Sequence, residues 1–594
     1  MDMLKLFSNI INLNQPGHYI HYSFFTISLA NLFIIAVMIV LFGLAIVLPF
    51  PKSKKILSIN YPELKKKITD NDNNDQSNDK MWTYKLRHFI SARLTLNNLI
   101  PDEQPVYVAS WIYIFGVATL AALFVVIISG LILAIGGVNW WHESNLGHFF
   151  NSMHLWSIEL FMSFMVIHLW GKFWMSAWRG KRLLTWMSGV LAFAVSILEA
   201  FTGYLSQQNF DSQWISTNGK DAINATGLGS FFNLMNFGQM ITWHIVLIPL
   251  ALIGLVALHI ILVRMKGVVN PVIRTGKDKA TKQTIKRLES SKWRGPNKKY
   301  DLIKEGFMAT IIVLGLVFGL SYLLSSPDSP PVTVQTWSTI SPADFMATTL
   351  SELNGTSETA NYGPPYNNGT RNLQKLGPSW QLLGGVRQKI NPANSFVIEP
   401  LSKIYATNKT LMKAIKDYNL ATPRQKQTWE NNYYNSLKTI RFINKQPIIR
   451  KGNYGPIAII VHYELNSAQS GALDSSLLSQ ASFYGSNYTK PLLFIEDGNY
   501  FTQKAKSQHL YGSQWGVMNE TGSYPGQPWL WLYTLWYQVP SFAKSKNVDL
   551  IAVYLTFIAT MLLLFIPLIP GLRDIPKIIP IYKLIWRKWY KRNY

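Results

Sequence analysis

Two apolar stretches of the chain each contain two histidines about four helical turns apart: HLWSIELFMSFMVIH at residues 154–168 and HIVLIPLALIGLVALH at residues 244–259. In an α-helix, about four turns at about 100° per residue return a side chain to within about 40° of its first direction. They also separate the two side chains by about 21 Å along the axis. Both histidines of a stretch therefore face the same neighbour, one near each surface of a hydrocarbon layer about 30 Å thick.

Two such helices that face each other offer two His/His pairs stacked across the membrane. Neutral imidazole is an axial ligand for haem iron, so the pattern predicts a four-helix bundle that holds two haems and carries electrons across the bilayer. The competing interpretation is that these histidines only make hydrogen bonds between helices, because a polar group in hydrocarbon needs a partner. The paired arrangement of four of the 11 histidines favours haem binding.

Seven runs of the chain are long and apolar enough to span a membrane. They cover about residues 23–50, 111–136, 150–174, 183–205, 238–264, 306–325 and 549–571. Lys and Arg concentrate in the connections after the first, third, fifth and seventh runs, whereas residues 137–149 contain neither. Basic connections stay in the cytoplasm, so we predict an N-terminus outside and a C-terminus inside.

Six Asn-x-Thr sequons lie only in segments that this topology places outside, which predicts a glycoprotein. They begin at Asn224, Asn354, Asn368, Asn408, Asn487 and Asn519. The external sequons and the absence of Cys would suit an archaeal plasma membrane.

The predicted fold class is an all-α membrane protein with a transmembrane four-helix haem bundle, about three further transmembrane helices and a mixed α/β extracytoplasmic domain. Strand-like runs at residues 456–465 and 491–496 indicate the β content of that domain. The predicted segments are an N-terminal transmembrane anchor (1–51), a cytoplasmic segment (52–110), the dihaem bundle (111–271), a basic cytoplasmic linker (272–305), a transmembrane helix (306–325), the extracytoplasmic domain (326–548), and a last transmembrane helix with a basic cytoplasmic tail (549–594).

The overall composition excludes several classes of ligand and cofactor. The net charge of +25 comes largely from the basic connections, which topology and anionic lipid explain, so we expect no binding to nucleic acid. The chain contains no Cys, which excludes a thioether-linked haem and a Cys-ligated cluster in this polypeptide. Any haem must therefore be held without covalent attachment.

Glycines in the neighbouring runs repeat the interval of the histidines. Gly116 and Gly130 lie in the second run, and Gly189 and Gly203 in the fourth, and the interval within each pair equals that between His154 and His168. A flat macrocycle needs room between helices, and glycine provides it. The same interval thus recurs in three helices, between two histidines in one and between two glycines in each of the others. Two stacked planar cofactors would impose such a common interval.

These residues carry a family resemblance. The stretches SGLILAIGG (129–137), MHLW (153–156), RLLTWMSGV (182–190), GYLSQQNFDSQW (203–214) and HIILVRMKGVVNP (259–271) resemble cytochrome b, the membrane core of bc₁ and b₆f complexes, and especially its short b₆-like form. The resemblance covers residues 111–271, about a quarter of the chain. It implies two b-type haems, with His154 and His244 as iron ligands of the outer haem and His168 and His259 as those of the inner haem. The predicted topology agrees, since the third and fifth runs both lead inward.

The resemblance also implies quinol oxidation in an outer pocket, with a Rieske iron–sulfur protein as one electron acceptor. A Pro-Glu-Trp-Tyr sequence usually lines that pocket, and this chain has none. The loop that commonly reads LPWGQ is LSQQN at residues 205–209, and Leu155 replaces an Arg often found after the first histidine. The outer quinol site is therefore less firmly predicted than the haem sites.

Three carboxyl groups are candidate proton acceptors for quinol oxidation. They are Glu199, inside a transmembrane run near its outer end; Glu159, shortly after His154; and Glu352, in the region of the missing motif. At the inner side, Arg179, Arg182 and Arg264 could bind haem propionates or a quinone, although topology explains these basic residues about equally well.

The sequence thus predicts a dihaem cytochrome b subunit of a bc-type respiratory complex in the plasma membrane. The expected partners are quinol and quinone, a Rieske protein, other complex subunits, the lipid membrane and a second copy of the complex in a homodimer. Two alternatives stay open: a dihaem anchor that links a dehydrogenase to the quinone pool without bifurcation, and a non-redox membrane protein.

Overall fold

The computed structural model describes residues 11, 13–50, 99–272, 293, 296–371, 373–443, 446–478, 487–510, 521–526 and 530–593. Most of the predicted cytoplasmic segment 52–110, most of the basic linker 272–305 and the sequon at Asn519 lie outside these residues.

Within the described residues, seven helices are long and apolar enough to cross a membrane, so the number of predicted spans is confirmed. Spans one to seven are Leu29–Val47, Trp111–Gly136, Asn145–Trp174, Leu183–Ser206, Phe237–Lys266, Leu302–Leu324 and Val548–Leu568. Each closes its backbone hydrogen bonds within the segment, which a bilayer requires. The chain is a multi-pass membrane protein.

The shorter helices connect the spans, build the domain between spans six and seven, or follow span seven. They are Val138–Glu143, Phe210–Ala225, Val334–Ile340, Pro342–Leu353, Glu358–Asn361, Trp380–Gly384, Glu399–Ile404, Lys409–Leu420, Pro423–Leu437, Ile457–Gln469, Ala472–Leu477, Thr489–Glu496, Asn499–Ser507, Trp531–Gln538, Pro540–Ala543, Ile575–Ile578, Tyr582–Ile585 and Arg587–Asn593. Three antiparallel two-stranded sheets pair Tyr19–Tyr22 with Phe25–Ser28, Glu103–Pro105 with Asn297–Lys299, and Arg441–Ile443 with Gln446–Ile448.

Spans two to five pack as a bundle. Span two lies along span three and span four along span five, while spans three and four also touch. Span six packs against spans two and three, and span seven against span four. Small and apolar residues such as Ala121, Ala122 and Ala192 fill the middle of the bundle, which lets the helices approach closely.

The ends of the spans collect at two opposite faces. At one face, the hairpin before span one and the end of span two contact the domain of residues 326–547: Thr26 donates to Gln538 Oε1 at 2.9 Å, and His142 binds Asp328 at 2.7 Å. At the other face, Trp186 at the start of span four donates to the carbonyl oxygen of Leu563 near the end of span seven. We call the first surface the domain face and the second the opposite face.

The domain between spans six and seven is helical, so the mixed α/β fold predicted for an extracytoplasmic domain is not confirmed, and the two strand predictions are wrong. Residues 456–465 fall in helix Ile457–Gln469, and residues 491–496 in helix Thr489–Glu496. The buried residues Ile457, Ile460 and Val461 recur with helical spacing, which an apolar run of Ile and Val conceals. Short apolar runs cannot be assigned to strand or helix by composition alone.

Candidate functional site

Two of the four predicted histidine ligands face each other inside the bundle. The ring centres of His154 in span three and His244 in span five are 6.1 Å apart, with the ring planes at 81°. Metal–imidazole bonds of about 2 Å plus the radius of each ring place two axial rings on one metal about 6 Å apart. The pair therefore has the separation of two axial ligands of one haem iron.

The other two histidines lie one level away along the same helices. His168 and His259 are close enough to interact electrostatically, and both are near Lys172. Each helix thus contributes one histidine to each level, as the spacing predicted. The interval from His244 to His259 in span five is longer by a single position than that from His154 to His168 in span three.

A π-helical segment explains the unequal intervals. Residues Trp243–Leu247 form this segment, and His244 lies within it. Pro249 follows in the next turn and has no backbone N–H to donate, which favours a local change of the hydrogen-bond ladder. A π-bulge takes up an extra residue in the helix, so the longer interval of span five can match the shorter interval of span three.

Every predicted glycine lies against one predicted histidine. A Cβ atom added at Gly116, Gly130, Gly189 or Gly203 would meet the Cε1 atom of His168, His154, His259 or His244 at 3.0, 3.1, 3.1 or 2.4 Å, respectively. All four contacts join a glycine helix to a histidine helix. A side chain at these positions would push against the imidazole, so the four glycines shape the space in which each ring lies.

Serines next to two of these glycines orient the imidazoles. Ser129 Oγ is 3.0 Å from His154 Nδ1, and Ser188 Oγ is 3.1 Å from His259 Nδ1. Each hydroxyl also donates to a carbonyl oxygen of its own helix, that of Val125 at 2.9 Å or Thr185 at 3.1 Å. The serine oxygen is then left to accept the Nδ1–H of the histidine. This tautomer leaves Nε2 with a free lone pair, the form that binds a metal.

His244 is held in the same tautomer by Glu199. The His244 Nδ1 atom lies 3.1 Å from the backbone oxygen of Glu199 and 3.2 Å from its carboxylate Oε1. A carbonyl oxygen only accepts, so Nδ1 donates and Nε2 is free. His168 differs: its buried Nδ1 has no hydrogen-bond partner in the described part of the chain.

The sequence analysis missed Ser129 and Ser188 as site residues. The signal was present as a Ser-Gly dipeptide in both glycine runs, at residues 129–130 and 188–189. A serine inside a membrane helix usually bonds its own backbone, so the dipeptide by itself does not reveal that the hydroxyl also reaches a neighbouring helix.

Replacement of Ser129 by alanine tests the orientation of His154. We expect haem affinity at the His154–His244 level to fall about tenfold, the lower end of the effect of losing a hydrogen-bond partner of a ligand, because a backbone carbonyl also lies near Nδ1. Ser196→Ala is the matched control, since Ser196 is a buried serine of span four that donates only to its own helix, at Ala192. Haem titration measures the affinity of each purified variant. Equal haem affinities of the two variants would contradict the role of Ser129 in orienting His154.

The three predicted proton acceptors occupy different environments. Glu199 contacts His244, as described. Glu159 is buried in span three, and neither of its carboxyl oxygens has a hydrogen-bond partner among the described residues. Glu352 lies in helix Pro342–Leu353 of the external domain, fully buried, and accepts from Ser357 Oγ at 2.7 Å. The structure therefore does not bring the three carboxyl groups together, and Glu352 is not a surface residue.

The buried Glu352 gives the domain a pH-dependent stability. Burial, and then the adjacent Asp497, raise the pKa of its carboxyl group well above the ordinary value of 4.5. An acid whose pKa rises on folding stabilises the fold fully below its ordinary pKa and loses that contribution as the pH rises through the folded pKa. Glu352→Gln should therefore flatten the fall of the melting temperature between pH 5 and pH 8. Asp417→Asn, at an exposed position, should leave it unchanged; parallel profiles for all three proteins would refute this prediction.

The predicted arginines lie at the opposite face. Arg179 Nη2 donates to the carbonyl oxygen of Asn270 at 2.6 Å, and the buried Arg182 donates to that of Lys266 at 3.0 Å. They bind the carbonyl groups that a helix end leaves unpaired, here at the end of span five. Arg264 keeps a buried Nε without a partner among the described residues. Binding of haem propionates by these residues stays a prediction.

Part of this core is similar in sequence to known proteins. Residues 159–327 match the family model described as cytochrome b(N-terminal)/b6/petB. Cytochrome b6 of Heliobacterium modesticaldum is 27% identical over 142 residues, which are 22% of this chain and 67% of that protein. The menaquinol:cytochrome c reductase cytochrome b subunit of Bacillus subtilis is 26% identical over 221 residues, 32% of this chain and 99% of its own length.

A chain of the solved hyperthermophilic respiratory Complex III aligns with 66% of this chain and 96% of its own length, at 17% identity and a TM-score of 0.28. The sequence matches confirm the resemblance to cytochrome b that the motifs indicated. These relatives are cytochrome b proteins.

Proposed function

We propose that the chain is the dihaem cytochrome b subunit of a bc-type quinol-oxidising complex, because residues 159–327 match the cytochrome b(N-terminal)/b6/petB family model and the relatives compared above are cytochrome b proteins. His154 and His244 would hold one haem, and His168 and His259 the other. The observation that carries the proposal is the set of Nδ1 contacts: three of the four imidazoles have Nδ1 within hydrogen-bond distance of an oxygen on a neighbouring helix, which favours the tautomer with Nε2 free to bind a metal.

The protein supplies binding, orientation and a low dielectric, while bound haem supplies one-electron redox chemistry. The glycines keep side chains away from the imidazoles, and Ser129, Ser188 and Glu199 hold the rings so that each Nε2 atom points into the bundle. Preformed ligands need no rearrangement when the cofactor binds, which lowers the free-energy cost of binding.

The proposed orientation puts the domain face outside the cell. The basic residues after spans one, three, five and seven would then be cytoplasmic, and the level of His154 and His244 would be the outer one. The proposed partners are quinol and quinone, a Rieske iron–sulfur protein, other subunits of the complex and a second complex in a homodimer. Held by His154 and His244 and by His168 and His259, two haems would supply one-electron redox chemistry between the quinol side and the cytoplasmic side.

Glu199 acts in this proposal as a positioning residue for His244. When ionised, a carboxyl group beside the Nδ1–H favours the oxidised, more positive iron, so at a pH where Glu199 is charged Glu199→Gln should raise the midpoint potential of the outer haem and leave its bis-histidine spectrum intact. Redox titration measures the potential. If Glu199 is instead the proton acceptor of quinol oxidation, the variant should show an unchanged potential and slower haem reduction by quinol.

A second candidate, the dihaem anchor without bifurcation, is favoured by the loop after span four. Gln207 in the LSQQN sequence exchanges hydrogen bonds with Asn151 at 3.0 and 3.1 Å, and its backbone oxygen binds His142 at 2.7 Å. The loop that differs from the family pattern is thus tied to the end of the bundle. A purified complex that contains a Rieske protein would decide for the bc-type function.

Haem analysis of the purified protein tests the proposal. We expect two b-type haems per chain, reducible by quinol, with a bis-histidine spectrum. His154→Ala and His244→Ala should lose the same haem, and His168→Ala and His259→Ala the other, so that each variant retains about one haem. Absence of a bis-histidine spectrum in the unmodified protein would refute the assignment and favour a non-redox membrane protein. Loss of one common haem in all four variants would refute the pairing.

A further inference from the structure

The external domain exposes a cluster of large apolar side chains that the haem sites do not use. It contains Trp380, Leu382 and Leu383 of helix Trp380–Gly384 together with Leu376, exposed by 37, 60, 73 and 43%. Leu228 and Phe231, from the connection between spans four and five, are exposed by 58 and 60%. Groups of exposed apolar residues of this kind mark a surface that meets a partner or a membrane.

One end of this segment is fastened to the beginning of span seven. The Gln374 side chain accepts from the Leu550 backbone N–H at 3.0 Å and donates to the Asp549 carboxylate. The backbone N–H of Lys375 donates to Asn547 Oδ1 at 2.9 Å. Span seven begins at Val548, so Gln374 lies at the level where the chain enters the membrane.

The other end is fastened to the connection that leads into span five. Ser230 Oγ donates to the carbonyl oxygen of Gly385 at 3.0 Å, and the guanidinium of Arg387 lies 4.9 Å from the centre of the Phe231 ring. A Cβ atom on Gly384 would meet the carbonyl oxygen of Gly227 at 2.5 Å, so the two backbones touch. Phe231 precedes the first residue of span five by six positions.

We propose that residues 374–387, with Leu228 and Phe231, form an interfacial membrane anchor that lies in the lipid leaflet on the domain face. One end of the segment is tied to the start of span seven and the other to the connection that leads into span five, so its exposed leucines and Trp380 continue the lipid-facing surface of span five, where Leu247 and Leu250 are also exposed. Lys375 and Arg387 are exposed beside the apolar side chains, where they can bind lipid phosphate groups.

The chemistry of the segment fits lipid better than an aqueous surface. An interfacial element buries an apolar face at the boundary of headgroups and acyl chains, with Trp at that level and basic residues toward the phosphates. The anchor would hold the external domain at a constant height above the bundle. The proposal rests on the membrane spans alone and does not depend on the haem assignment.

The absence of Cys from the chain permits a direct test. Leu383→Cys, labelled with an environment-sensitive fluorophore, is reconstituted as the full chain in phosphatidylcholine–phosphatidylglycerol vesicles with or without brominated acyl chains. Leu420→Cys is the matched control, because Leu420 is a leucine of the same domain that is exposed by 74%, at the end of a helix packed on Ile457–Gln469. We expect at least twofold quenching by brominated lipid at position 383 and none at position 420.

Two results would overturn the proposal. Equal, water-like emission at both positions would show that the segment lies free in solvent. A blue-shifted emission at position 383 that brominated lipid does not quench would show that protein covers it, from another subunit or a second copy. Leu382→Cys, at a neighbouring exposed position, repeats the measurement if the Leu383 variant does not fold.

Discussion

Replacement of Gly203 by alanine is expected to abolish most haem binding at the His154–His244 level while the other haem is retained. The added Cβ would lie 2.4 Å from Cε1 and 2.9 Å from Nδ1 of His244, distances that no pair of carbon or nitrogen atoms tolerates without movement. The imidazole cannot simply turn aside, because Glu199 holds its Nδ1 from the same helix. Overpacking of this kind costs about 1–3 kcal/mol, which corresponds to an affinity loss of about 5- to 150-fold.

Gly254→Ala provides the control for this prediction. Gly254 lies in span five, between His244 and His259, but a Cβ atom there would meet nothing within 4 Å. It should leave two haems in place, as measured by haem content per chain and by the difference spectrum. Retention of both haems by Gly203→Ala would show that the contact with His244 does not limit the site, and loss of haem from Gly254→Ala would show that the method reports general misfolding.

Lys220→Ala is expected to loosen the external domain from the bundle. Lys220 belongs to helix Phe210–Ala225, which follows span four, and its buried Nζ lies 2.6 Å from Glu496 Oε1 in helix Thr489–Glu496 of the domain. Removing one partner of a buried ion pair leaves an uncompensated charge. We expect a loss of about 3 kcal/mol, the lower end for buried pairs, because 30% of the Glu496 side chain is exposed.

The measurement should be made at pH 8. Burial raises the pKa of the Glu496 carboxyl group to about 7, against the opposing effect of Lys220, so the pair is fully charged only above neutrality. Thermal melting and the protease resistance of the domain report the loss. The double variant Lys220→Met, Glu496→Leu removes both charges and should be closer to the unmodified protein than Lys220→Ala. Equal melting of all three proteins would contradict an energetic role for the pair.

The proposed haem sites show what the helical period of the sequence predicts. The interval between His154 and His168, and the same interval between the glycines of two other runs, predicted which residues share a level of the bundle. Each of these glycines indeed lies against one of these histidines. This was predictable because a transmembrane helix is a regular rod, so positions along the sequence translate directly into height and direction.

The domain between spans six and seven shows what local sequence patterns do not predict. Two apolar runs with β-branched residues were predicted to be strands and are helices, because an isolated apolar run has no distinguishing period when its surroundings are unknown. Glu352 was considered a candidate at the quinol pocket and is instead buried beside Asp497, a residue far later in the chain. Contacts over such distances leave no local pattern.

The amino-acid sequence by itself predicted the seven spans, the shared levels of the four histidines and four glycines, and the resemblance of the core to cytochrome b, since each of these depends on apolar length, helical period or a short motif. Only the tertiary structure decided which groups hold the imidazoles: the hydroxyls of Ser129 and Ser188, the carbonyl and carboxylate of Glu199, and the π-helical segment that aligns His244 with His259. These depend on the approach of one helix to another, and hydrogen bonds between helices follow from packing rather than from the order of residues within either helix.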